Sequence, residues 1–247
     1  MRRPSSPYAS RISFGPGPVS TAIKAIIGAN IVLFVLQTLV PGLTGSLGLM
    51  PEVVVRDLRV WQLATYMFLH AGVLHILFNM LALWMFGAEL ERTWGTRYFL
   101  KYYFVTGIGA AILTVFFSLL PFGFAQELHR SIVIGASGAI YGLLLAYGLY
   151  FPDRPIYMYL VFPIPAKYFV MIMGALAFYS SVSESGGVAS ATHLGGILVG
   201  YLFLKNARIH PVSELKYRYL KWKISRARKK FDVHPGGRAN DWDRRVH

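Results

Sequence analysis

The sequence predicts an all-α membrane protein, a bundle of six transmembrane helices with both termini in the cytoplasm. Three observations carry this reading. Hydrophobic residues fill 55% of the 247 positions and charged residues only 15%. The apolar residues come in runs of about 18 to 25, long enough to cross a bilayer, rather than in the short stripes of a soluble domain. Finally, all but three of the 25 Lys and Arg, namely Arg56, Arg59 and Arg130, fall on one side of the topology those runs imply, the asymmetry that orients membrane proteins.

Residues 1–20 hold arginines and serines but no apolar stretch followed by a small-residue cleavage site, so they read as a retained cytoplasmic arm. Residues 21–205 contain six candidate spans: Ala22 to Val40, Leu63 to Phe86, Tyr98 to Leu120, Ser131 to Tyr150, Ala166 to Ser181 and Ala189 to Leu204. Pro152, Pro155, Pro163 and Pro165 interrupt the stretch from Phe151 to Pro165, which is expected to be an extended connector at the membrane surface because proline breaks a continuous helix. Residues 206–247 form a basic tail. Lys216, Arg218, Lys221 and Lys223 alternate there with Tyr217, Tyr219, Leu220 and Trp222, the pattern of an amphipathic helix lying on anionic lipid.

Composition excludes several chemistries. Without cysteine there can be no disulfide, iron–sulfur cluster or thiolate zinc site. The net charge of +14 follows the topology and is not gathered on a reading helix or an aromatic–basic sheet, so the expected partner is the lipid bilayer and not nucleic acid. No His-Glu-x-x-His motif is present, which argues against a zinc protease; no metal or cofactor is expected.

Polar side chains at membrane depth are costly, and each is a functional candidate by default. The candidates are His70, His75 and Asn79 in the second span, Ser137 in the fourth and His193 in the sixth. These three spans run from outside to inside, so their early residues share the outer half of the bilayer. Counted from Ser131, Ser137 would lie about 9 Å down its helix. His75 and Asn79 reach the same depth only if the second helix begins near Ala71-Gly72. As an i, i+4 pair they share one face and can aim two donors at a single oxyanion. Gly138 and Gly142 form a small-residue face beside Ser137, and Gly196 and Gly200 lie on the face of His193, which lets two backbones approach closely enough for a short serine side chain to reach an imidazole. No Asp or Glu falls in the outer half of any span. A Ser–His dyad remains workable if Tyr141, one turn below Ser137, orients the imidazole.

Gly135-x-Ser137-Gly138 with Tyr141, then His193-x-x-Gly196-x-x-x-Gly200, preceded by His70, His75 and Asn79, resembles the rhomboid intramembrane serine proteases over roughly Trp61 to Lys205. The resemblance implies a bundle of rhomboid type in which Ser137 attacks the scissile carbonyl and His193 serves as general base, then general acid. His75, Asn79 and the Ser137 backbone N–H would form the oxyanion hole, supported by Gly135, Tyr141 and His70. It also implies transmembrane protein substrates cut near the outer face, and a bacterial inner membrane as location. Glu91 and Gly95 match the family's Glu-x-x-x-Gly stretch, and the family's usual Trp-Arg stands here as Trp61-Gln62. Two other readings use the same residues: a non-catalytic binder of membrane proteins on this scaffold, and a transporter relaying protons through His70, His75 and His193.

Overall fold

The computed structural model describes residues 19–121, 123–158, 162–182 and 187–208. The expected arm and basic tail lie outside the described residues except at their inner edges. The chain divides after Leu204 into two units, and the first holds every candidate residue from His70 to Gly200.

Helix α1 (Thr21–Leu39) starts where Ser20 Oγ accepts the Ile23 N–H at 3.1 Å, a serine N-cap that satisfies one of the donors a helix leaves open at its start. Three short helices, α2 (Leu43–Leu47), α3 (Pro51–Arg56) and α4 (Gln62–Thr65), and a 3₁₀ turn (Tyr66–Phe68) lead to α5 (Val73–Ala82). A π-turn (Leu83–Gly87) joins α5 to α6 (Ala88–Trp94), so the second long helix runs from Val73 to Trp94. The expected start at Leu63 is therefore wrong by ten residues. Gln62 to Leu69 fold instead as a short helix and a 3₁₀ turn, with Gln62 and Thr65 bonded to the segment before them.

Helix α7 (Thr96–Ser118) is the longest among the described residues, and α8 (Gly123–Arg130) comes after it. Leu49 and Val133 then form an isolated antiparallel bridge, so the chain from Ser131 is extended and α9 (Ser137–Tyr150) begins only at Ser137. The depth expected for Ser137 by counting helical rise from Ser131 does not apply. A β-hairpin, β1 (Pro155–Met158) paired antiparallel with β2 (Phe162–Pro165), occupies the proline-rich connector. Helices α10 (Ala166–Val182) and α11 (Gly187–Arg208) complete the described chain.

Among the described residues, three helices are long and apolar enough to cross a membrane: Thr21–Leu39, Val73–Trp94 and Thr96–Ser118. The bundle packs through small residues and buried tyrosines. A Cβ on Gly142 would meet the Thr106 side chain at 2.9 Å, so the glycine lets α9 seat closely on α7. Tyr102 donates to the Gly142 carbonyl at 2.7 Å and Tyr66 to the Gly107 carbonyl at 2.8 Å, which pairs hydroxyls that burial would otherwise leave unsatisfied. At the opposite end from Ser137, Glu89 accepts from Tyr147 at 2.9 Å and pairs with Arg154. Buried Glu91 accepts from Thr96 at 2.7 Å and from Ser20.

Candidate active site

Ser137 is the first residue of α9, so its backbone N–H and the next ones have no partner within the helix and point out of its N-terminus. The chain enters through Gly135, whose φ of +126° is one that residues with a Cβ rarely adopt. A methyl there would also sit 2.8 Å from His75 Nε2 and 3.6 Å from Ser137 Oγ. The glycine is thus required twice over, by its backbone angle and by the imidazole against it.

His193 comes from α11 and sets Nε2 2.8 Å from Ser137 Oγ, an ordinary hydrogen-bond length. The approach depends on Gly196, one turn further along. A Cβ at Gly196 would collide with the Gly138 carbonyl, and one at Gly200 would come 3.3 Å from Gly142 Cα. On its other side the imidazole is covered by Tyr141, whose ring stacks on it with centroids 4.3 Å apart and planes 11° from parallel.

His75 Nδ1 accepts the Ala71 N–H at 3.2 Å. A neutral imidazole that accepts at Nδ1 carries its proton on Nε2, the atom facing Gly135. Asn79, one turn on along α5, is buried and spends one amide hydrogen on the His75 carbonyl at 2.9 Å, leaving the other free to donate. His70 meets this group at His75, ring centroids 4.9 Å apart and edge to face. It is fully buried, and neither ring nitrogen has a hydrogen-bond partner among the described residues.

One residue that holds the site belongs to no motif in the sequence. Gln37 on α1 clamps the backbone of His70 from both sides: its Nε2 donates to the His70 carbonyl at 3.0 Å, and its Oε1 accepts the His70 N–H at 3.1 Å. A carboxamide near the end of an apolar run is the signal that could have found it. Gln62, which stands out in the sequence only as a departure from Trp-Arg, is fully buried. Its Oε1 accepts the Met50 N–H at 3.1 Å and its Nε2 donates to the Gly45 carbonyl at 3.3 Å, while Trp61 Nε1 donates to the Ser46 carbonyl at 3.0 Å.

A serine hydroxyl bonded to an imidazole at this distance can pass its proton on and become a nucleophile. Beside it, an Nε2–H, a carboxamide and helix N-terminal amides are the kinds of donor that stabilise an oxyanion. Together the apolar helices and this group define an integral membrane protein with a paired serine and histidine between its helices. The Rhomboid domain family model matches residues 57–206, more than half of the chain, and the chain belongs to the rhomboid family. It is 36% identical over 141 residues to the rhomboid protease GluP of Bacillus subtilis (strain 168), covering 57% of this chain and 25% of that protein. It is 29% identical over 153 residues to the rhomboid protease AarA of Providencia stuartii, covering 58% and 54%. Against the mitochondrial rhomboid protein 1 of Saccharomyces cerevisiae it is 30% identical over 138 residues, covering 55% and 38%. The alignments thus span between a quarter and about half of each relative's length.

Proposed function

We propose that this protein is an intramembrane serine endopeptidase that cuts transmembrane segments of other membrane proteins near the outer face. The observation that carries the reading is the 2.8 Å contact between His193 Nε2 and Ser137 Oγ, made at a helix N-terminus beside a second imidazole. Ser137 attacks the scissile carbonyl while His193 takes its proton; His193 then returns the proton to the leaving amine, and a water molecule repeats the cycle on the acyl enzyme. His75 Nε2–H, Asn79 and the Ser137 N–H hold the developing oxyanion. Stacking on Tyr141 does the orienting that a carboxylate performs in a triad.

The scaffold in this proposal is the six-helix rhomboid bundle of residues 21–205, with a cytoplasmic arm (1–20), a basic cytoplasmic tail (206–247) and the bacterial inner membrane as its location. Purified parent protein should cleave a model transmembrane substrate and react with an activity-based fluorophosphonate, whereas Ser137→Ala and His193→Ala should do neither. Cleavage by Ser137→Ala at the parent rate would overturn the serine mechanism. Substrate capture without cleavage by the parent would favour the binder reading.

A further inference from the structure

We propose that Thr192 is a positioning residue for the reaction, holding α11 in the rotation that aims His193 at Ser137 through a hydrogen bond to Thr114 on α7. The inference rests on the protease reading above and adds a residue that neither the motifs nor the Ser–His geometry includes.

Thr192 immediately precedes His193, and consecutive residues on a helix point about 100° apart. While His193 faces Ser137, Thr192 faces the junction of α7 and α9. It is 1% exposed and Thr114 is fully buried; their hydroxyl oxygens lie 2.8 Å apart. Thr114 Oγ1 also lies 2.8 Å from the Ala110 carbonyl one turn back. A hydroxyl has one hydrogen and two lone pairs, so when Thr114 donates to that carbonyl, Thr192 donates to Thr114. The methyl group of Thr192 serves a second contact. Its Cγ2 lies 3.2 Å from where a Cβ on Gly138 would be, directly against the residue after Ser137. One side chain therefore ties α11 to α7 by its oxygen and seats it on α9 by its carbon.

The glycines cannot supply this restraint. Gly195, Gly196 and Gly200 set how closely α11 approaches Ala110, Gly138 and Gly142, but contacts with bare backbone leave a helix free to roll. A directional hydrogen bond one residue from the imidazole resists rolling, and both of its hydroxyls are shielded from lipid.

The experiment measures kcat and KM for a transmembrane substrate with parent, Thr192→Val, Thr192→Ser, Thr114→Val and the double valine variant, each normalised to folded protein, beside Ser137→Ala. Valine keeps the shape and removes the hydroxyl; serine keeps the hydroxyl. We expect kcat to fall about tenfold in Thr192→Val with KM nearly unchanged, short of the roughly 100-fold that a misplacement of 1 Å can cost. Thr192→Ser should recover most of the loss, and the double variant should be little worse than Thr192→Val. Parent-like kcat in Thr192→Val, an effect confined to KM, or no recovery by serine overturns the inference while Ser137-dependent turnover keeps the protease reading intact. Turnover that survives Ser137→Ala overturns both.

Discussion

The ring of Tyr141 lies face to face with that of His193, centroids 4.3 Å apart and planes 11° from parallel. The two side chains belong to different helices, and the tyrosine is one turn below Ser137 on α9, so the helix that carries the proposed nucleophile also carries the surface that aligns its base. The contact uses the flat face of the ring and makes no demand on the phenol oxygen. Tyr141→Phe should therefore retain cleavage close to the parent rate, whereas Tyr141→Ala should lower kcat by about tenfold or more through loss of imidazole alignment. Initial cleavage rates of the two variants decide it, and equal damage from both would mean that the hydroxyl, not the stack, is what matters.

Gly196→Val should abolish cleavage and lower stability, because the new side chain has nowhere to go but into the Gly138 carbonyl. Overpacking of this kind costs about 1 to 3 kcal/mol or more. Gly195 is a poor control. Although it points elsewhere on α11, a Cβ there would come 3.2 Å from Ala110 Cα, so Gly195→Val should also be harmful, by pressing on α7. The mild comparison is Gly174→Ala, where the added methyl meets only Ile197 Cδ1 at 3.8 Å. Thermal melting in detergent alongside the cleavage rate separates the three, and parent-like behaviour of Gly196→Val would show that the helices have room to move apart.

Asn79→Ala should reduce kcat by roughly 100- to 1000-fold, the range seen when one oxyanion donor is deleted, with a smaller effect on KM. Loss of its helical hydrogen bond to the His75 carbonyl affects folding little, since that carbonyl keeps its place in the helix. A kcat unchanged in this variant would assign the oxyanion to His75 and the backbone alone.

Gln62→Leu should behave differently, destabilising the protein by about 1 to 3 kcal/mol because it strands the Met50 N–H and a loop carbonyl in a buried place. The catalytic pair is untouched, so kcat per folded molecule should stay near the parent value. A variant as stable as the parent would mean that water replaces the carboxamide.

The apolar runs locate helices well where the whole run is helical. Tyr98 to Leu120 and Ala166 to Ser181 fall within two residues of α7 and α10. They fail at the starts of α5 and α9, where the run opens at Leu63 and Ser131 but the long helix waits until Val73 and Ser137. Hydropathy reports where a residue can lie, not which backbone angles it takes. At both places an extended or short-turn segment satisfies its polar groups against the Leu49–Val133 bridge and the Gln62 network. In the candidate site, Ser137, His193, His75 and Asn79 are legible because such groups are rare at membrane depth. Thr114 and Thr192 are not, since a threonine in a span can bond its own helix and carries no signal of a partner.

The π-turn at Leu83–Gly87 has a consequence for angular register. Twelve residues separate Asn79 from Glu91, and in an unbroken α-helix they would face directions roughly 120° apart. A π-turn absorbs one extra residue, which closes that difference to about 20° at 100° per residue. Both side chains are buried, Asn79 at 6% exposure and Glu91 at 4%. The turn thus acts as an angular spacer, letting one continuous helix present an amide at one end and a carboxylate at the other to the same interior. Deleting one residue within the turn would leave eleven residues of plain α-helix and keep both groups facing inward, whereas regularising the turn at its present length would swing the amide and the carboxylate about 120° apart.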